Sequence, residues 1–83
     1  MNQAQQIAFN MHMARGEEHM KNASIDTNNA RNHYWKAVEE FYSAKEVAQA
    51  AGNNKLMVYA YAKYKEAEQR KYYATKFHKR DCG

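Results

Sequence analysis

Alanine recurs at intervals of seven residues along two stretches of this chain, with large apolar side chains between the alanines at helical spacing. The alanines stand at Ala30, Ala37, Ala44 and Ala51, and again at Ala60, Ala67 and Ala74. Seven residues are close to two helical turns, so each set forms a stripe of methyl groups on one helix face. Gly52 and two asparagines between the stretches favour a turn. The pattern predicts an antiparallel helical hairpin with an alanine seam.

A further helix is predicted before this hairpin. Apolar residues lie three and four positions apart on one predicted face, at Ala4, Ile7, Ala8, Met11 and Ala14. The polar segment that follows favours a turn, with Asp26, Thr27 or Asn28 as the N-cap of the next helix. We therefore predict an all-α fold, a small three-helix bundle in a single domain over residues 1–83, with helices at about 2–23, 28–51 and 55–79.

The second predicted helix carries an additional apolar strip. Trp35, Val38 and Tyr42 lie about 100° around the helix from the alanine seam, because successive residues turn by about 100°. Helix one is expected to cover this strip, since short connections usually join elements that are neighbours in space. A partner chain is the alternative cover.

Composition limits the class of protein. The chain has 83 residues, no proline and three glycines, which suits one small helical domain. Cys82 is the single cysteine, so an internal disulfide is excluded. No apolar run approaches the roughly 20 residues that span a bilayer, and the polar start lacks the blocks of a secretory signal. We expect a cytoplasmic protein that does not associate with membranes.

Charge is concentrated in the third helix. Residues 54–83 carry eight Lys and Arg against three Asp and Glu, whereas residues 1–53 carry five against six. Tyrosines are interleaved with these basic residues, a combination that suits an acidic partner. The candidate contacts on this helix are Lys65, Tyr72, Tyr73, Lys76, Lys79 and Arg80. Trp35 and Tyr42 form a second candidate patch if helix one leaves them exposed.

Two functions of different class fit this basic helix. Tyrosine, tryptophan and arginine are enriched at protein interfaces, which predicts a small adaptor or an inhibitor with an acidic protein partner. A protein of phage or mobile-element type that blocks a larger host or defence complex has this general character. The alternative is RNA or DNA binding, with cations on phosphates and tyrosines stacked on bases. A solvated helix face with no partner stays open, as does a homodimer.

The sequence contains no recognisable catalytic or metal motif. His12 and His19 are seven residues apart, and no pair of histidines shows the four-residue spacing that presents two imidazoles to one zinc ion. The pairs Glu17–Glu18 and Glu39–Glu40 diverge by about 100° on a helix, so neither converges on one substrate atom. We predict a non-enzymatic protein without catalytic residues, metal site or cofactor.

Overall fold

Three helices make up the fold. The computed structural model describes the backbone of residues 1–82 and the side chains of residues 1–74. Helix α1 spans Gln3–Ile25, α2 spans Ala30–Ala50 and α3 spans Asn54–Cys82, with a short 3-10 turn at Thr27–Asn29. Both α1 and α3 pack on α2, and the described residues contain no strand. The prediction of an all-α three-helix bundle is confirmed.

Local sequence chemistry sets three of the helix ends. Asn2 Oδ1 accepts the backbone N–H of Gln5 at 2.8 Å, and Gln5 Oε1 accepts the backbone N–H of Asn2 at 3.1 Å. This reciprocal pair is a capping box. Gly52 ends α2 with a φ of 73°, in the left-handed region that favours glycine. Asn53 Oδ1 then accepts the backbone N–H of Leu56 at 3.1 Å and caps α3.

The turn between α1 and α2 differs from its prediction. The N-cap of α2 is Asn29, and its side chain makes no capping hydrogen bond. The expectation that residue 26, 27 or 28 caps this helix is therefore wrong. Asp26 instead accepts a hydrogen bond at 3.0 Å from the side-chain amide of Asn29, because the 3-10 turn moves the start of α2 beyond it.

The alanine seam lies at the centre of the molecule. Ala37, Ala44, Ala48, Ala60 and Ala67 are fully buried. They belong to one core cluster with Phe41, the large side chain that is also fully buried. Small methyl groups let α2 and α3 approach closely, while Phe41 supplies much of the apolar surface. The predicted alanine-seamed hairpin is thus the interior of the fold.

The predicted inward face of α1 is wrong. Ile7 is 57% exposed and Met11 is 44% exposed, whereas Phe9 and Met13 are buried. The buried face of α1 comprises Phe9, Met13, Gly16 and Ala23. Gly16 explains this choice, because an added Cβ there would lie 2.4 Å from Cε1 of Phe41. The missing side chain admits the Phe41 ring against α1 and so turns Ile7 and Met11 outward.

The predicted cover of the second apolar strip is also wrong. Val38 is buried, but Trp35 is 52% exposed and Tyr42 is 42% exposed. The Tyr42 ring contacts Tyr64 of α3. Helix α1 packs on the opposite flank of the alanine seam, where it contacts His33 and Glu40 of α2. The strip therefore borders α3 and leaves Trp35 and Tyr42 accessible.

Candidate partner-binding face

The predicted contact residues fall into two groups. Among those whose side chains are described, Lys65, Tyr72 and Tyr73 are exposed on α3, and Trp35 and Tyr42 are exposed on α2. The side chains of Lys76, Lys79 and Arg80 lie outside the described residues. The face can therefore be built from the first group and the residues around it.

Three tyrosines from two helices form a continuous group of rings. The ring centroids of Tyr42 and Tyr64 are 5.5 Å apart, and those of Tyr61 and Tyr64 are 5.8 Å apart. We call Tyr42, Tyr61 and Tyr64 the tyrosine cluster. Tyr64 is half-buried and anchors the cluster, and Tyr42 and Tyr61 present exposed edges. Tilted rings at these separations attract one another, which restrains the three side chains.

A hydrogen bond orients the central tyrosine. Tyr64 donates its hydroxyl to Glu68 Oε2 at 3.1 Å, one helical turn along α3. This bond to a carboxylate raises the pKa of Tyr64, because removing the hydroxyl proton would break the bond and place two negative charges side by side. Tyr64 therefore keeps its uncharged form at neutral pH.

Lysines border the tyrosine cluster on both helices. Lys45 Nζ lies 4.9 Å from the centroid of the Tyr42 ring, and Lys65 Nζ lies 6.0 Å from that of Tyr61. Both distances fall within the range of cation–π contacts. Lys65 also lies 3.7 Å from Glu68. Each ammonium group therefore lies close to a ring of the cluster.

Trp35 extends this surface toward the other end of the hairpin. It lines a shallow pocket of 290 Å³ together with Arg31, Asn32 and Lys71. Lys71 is half-buried, as expected for a lysine at the edge of the seam. Trp35, the tyrosine cluster and their neighbouring cations thus follow one side of the α2–α3 hairpin, which we call the aromatic–basic face.

Tyr72 and Tyr73 adjoin this face. Their rings are 5.8 Å apart in an edge arrangement, and both line a wide depression on α3 that also includes Lys65. Tyr73 in addition lines a pocket of 480 Å³ with Tyr34 and Arg70, where all three helices approach one another. The predicted pair therefore borders two concave regions, because consecutive helical residues point in different directions.

The predicted contact residues do not include Tyr61, Tyr64 or Lys45. Antiparallel pairing of α2 and α3 brings Tyr42 to Tyr64 and places Trp35 beside Lys71. In both pairs the residue numbers have the same sum, as antiparallel neighbours must. A turn at Gly52 fixes which residues of the two helices lie opposite each other, and this register is the signal that places these residues together.

The chain matches no protein-family model, no curated protein and no solved structure. Function must therefore be argued from its own geometry. Within the described residues, no three histidine, cysteine or carboxylate side chains are arranged to hold a metal ion. No helix in the described part of the chain is long and apolar enough to cross a bilayer.

Proposed function

We propose that this protein is a non-enzymatic binding protein, a small adaptor or inhibitor whose aromatic–basic face docks on an acidic surface of another protein. The observation that carries this proposal is the tyrosine cluster, built from both helices and bordered by Lys45 and Lys65. Exposed aromatic side chains held rigid by their neighbours lose little entropy on binding, and such residues dominate protein interfaces.

The charge of the face favours an acidic partner over a second copy of the chain. Its cations Arg31, Lys45, Lys65 and Lys71 outnumber its carboxylates. Glu68 contacts the tyrosine cluster, and Glu39 and Glu46 lie one helical turn from Trp35 and Tyr42 on α2. A twofold dimer through this face would bring like charges together, which opposes association. A partner with carboxylates around an apolar centre would instead pair with the cations while its apolar centre covers the rings.

The proposal is tested by affinity capture followed by measured binding. The wild-type chain and the variants Tyr42→Ser and Tyr61→Ser are used to capture partners from source-cell lysate, with and without nuclease. Binding of the protein recovered by the wild type is then quantified for each variant. We expect each tyrosine substitution to weaken affinity by about tenfold or more, as loss of an interface anchor does.

A matched control uses exposed apolar residues on a different surface. Met11→Ser and Ile7→Ser alter side chains of similar exposure on α1, and we expect less than about a twofold change in affinity. Thermal unfolding should show that all four variants remain folded. Equal binding by the tyrosine variants and the wild type would exclude the aromatic–basic face as the docking surface.

Charge and salt distinguish a protein partner from nucleic acid. Reversal of Lys45 and Lys65 to Glu should weaken a protein complex moderately, and added salt should do the same. A nucleic-acid complex should instead disappear from the nuclease-treated sample and lose affinity steeply with salt. That second result would contradict the proposed function and support RNA or DNA binding by the same face.

A further inference from the structure

Histidines lie along the α1–α2 interface in two unlike pairs. Seven residues separate His12 from His19 on α1, and seven separate His33 from Glu40 on α2. His12 Nδ1 lies 2.8 Å from Glu40 Oε1. One heptad along the interface, the rings of His19 and His33 stack with centroids 6.0 Å apart and planes inclined by 30°. One histidine thus faces a carboxylate, whereas the other two face each other.

Protonating both rings of the stacked pair is unfavourable. The Nδ1 atoms of His19 and His33 are both buried and make no hydrogen bond. A neutral imidazole carries a proton on one nitrogen, but the cation carries N–H on both. In a ring whose neutral form carries its proton on Nε2, protonation places an N–H on the buried Nδ1, which has no acceptor. A second proton would also set two positive charges against each other.

One carboxylate approaches the stacked pair. Asp26 Oδ2 lies 3.6 Å from His33 Nε2, and the Asp26 side chain is 45% exposed. Asp26 therefore favours a proton on His33, but its attraction is weakened by solvent and it serves one ring. Glu40, the carboxylate of the neighbouring pair, is already in contact with His12. Among the described side chains, none compensates a second proton on the stacked pair in this way.

The remaining charges nearby do not favour the protonated pair. Within one helical turn of the two rings the charged residues are Arg15, Glu17, Glu18, Lys21, Arg31 and Lys36. All six are exposed, and the positive ones outnumber the negative. On α3, Lys63 Nζ lies 3.2 Å from Glu17 Oε1. Their sum is positive, so they supply no net attraction for additional positive charge at the interface.

We propose that the His19–His33 pair is an acid-sensitive contact that releases the C-terminal half of α1 from α2 on protonation, while the His12–Glu40 pair retains the N-terminal half. When α1 loosens, both Nδ1 atoms reach water and accept protons freely. The loosened state thus binds more protons, so lowering the pH shifts the equilibrium toward it. Histidine in water titrates near pH 6.5, so pH values above and below this one are compared.

Hydrogen exchange resolves the two halves of α1. Exchange of residues 17–25 and residues 3–12 is measured at about pH 7.5 and 5.5, corrected for the intrinsic rate, for the wild type and a His19→Phe/His33→Phe variant. Phenylalanine preserves a stacked ring and removes the titrating nitrogens. In the wild type we expect protection of residues 17–25 to fall about tenfold or more at the lower pH, and in the variant less than about twofold.

His12→Gln is the matched control. It removes a histidine from the same interface without touching the stacked pair, so the fall in protection of residues 17–25 should persist. An equal fall in the wild type and the double phenylalanine variant would overturn the proposal. So would equal losses of protection in both halves of α1.

A second measurement on the wild type covers the case in which the double variant does not fold. Nuclear magnetic resonance follows the ring signals of His12, His19 and His33 together with the backbone amides of residues 17–25. The signals of His19 and His33 should change over the same pH range as those amides. Protonation of the stacked pair without any change in the amides would contradict the proposal.

Discussion

At the scale of single residues, Gly16 determines how α1 packs. A Cβ built on Gly16 would lie 2.4 Å from Cε1 of Phe41 and 2.8 Å from Cζ. The contacted atoms belong to a fully buried ring in the core, so the ring has little room to move. A glycine in mid-helix normally weakens the helix, and here it is required for close approach to α2.

Gly16→Ala should therefore destabilise the protein although alanine is the better helix former. We expect the clash with Phe41 to lower the free energy of unfolding by about 1–3 kcal/mol, more than offsetting a gain in helix propensity of about 1 kcal/mol. Urea unfolding followed by circular dichroism measures the difference. Adding Phe41→Leu should make the Gly16→Ala substitution less damaging, because the ring atoms are gone. A Gly16→Ala variant as stable as the wild type would refute this account of α1 packing.

At the scale of helices, an ion pair joins α1 and α3, the two helices that pack on α2. Lys63 Nζ lies 3.2 Å from Glu17 Oε1. The hydrogen bond to Glu17 raises the pKa of Lys63, even though partial burial acts in the opposite direction. A group whose pKa is raised on folding stabilises the fold below its unfolded pKa, and the effect is lost as the pH rises through the folded value.

Removal of this pair should matter at neutral pH and not at high pH. Because Glu17 is largely exposed, we expect Lys63→Met to lower the free energy of unfolding by no more than about 1 kcal/mol near pH 7. The difference from wild type should vanish above about pH 11, since lysine titrates near 10.4 when unfolded and higher here. Paired urea titrations at both pH values provide the measurement, and Glu17→Gln should reproduce the pattern. If Lys63→Met lowers the free energy of unfolding equally at both pH values, the effect comes from packing of the lysine stem and not from the ion pair.

At the scale of the whole molecule, Phe41 connects the three helices. It contacts α1 at Gly16 and lies in one core cluster with Ala60 and Ala67 of α3. The rest of that core is made mostly of alanines, which each contribute little buried area. A chain of this size has a small core, so its stability depends heavily on the few large side chains within it.

Phe41→Ala should bring the protein close to global unfolding. We expect a loss of about 3–5 kcal/mol from the removed ring and the cavity, against a total stability of roughly 4–12 kcal/mol for a chain of this length. Helical content by circular dichroism and the urea midpoint measure the effect. Tyr42→Ala, at the next position on α2 but 42% exposed, should lose less than half as much. Similar losses for the two variants would show that Phe41 has no special role in the core.

The candidate site could be predicted only in part from the sequence. Trp35 and Tyr42 were identified from their position beside the alanine seam, and Lys65, Tyr72 and Tyr73 from the charge of the third helix. The tyrosine cluster required knowledge of which residues face each other across the hairpin. Tyr64 in particular is half-buried in the seam and still contacts Tyr42. Contacts between helices depend on register, which a single helix does not encode.

Sequence alone determined the positions of the helices, the left-handed turn at Gly52 and the alanine seam, because these follow from local backbone chemistry and helical periodicity. Tertiary structure decided which face of α1 is buried. Apolar residues occur around much of α1, so its own pattern could not choose between Ile7 and Phe9. The fit of the Phe41 ring against Gly16 made that choice. The same packing places α1 against His33 and Glu40 on α2. Trp35 and Tyr42 therefore stay exposed on the aromatic–basic face.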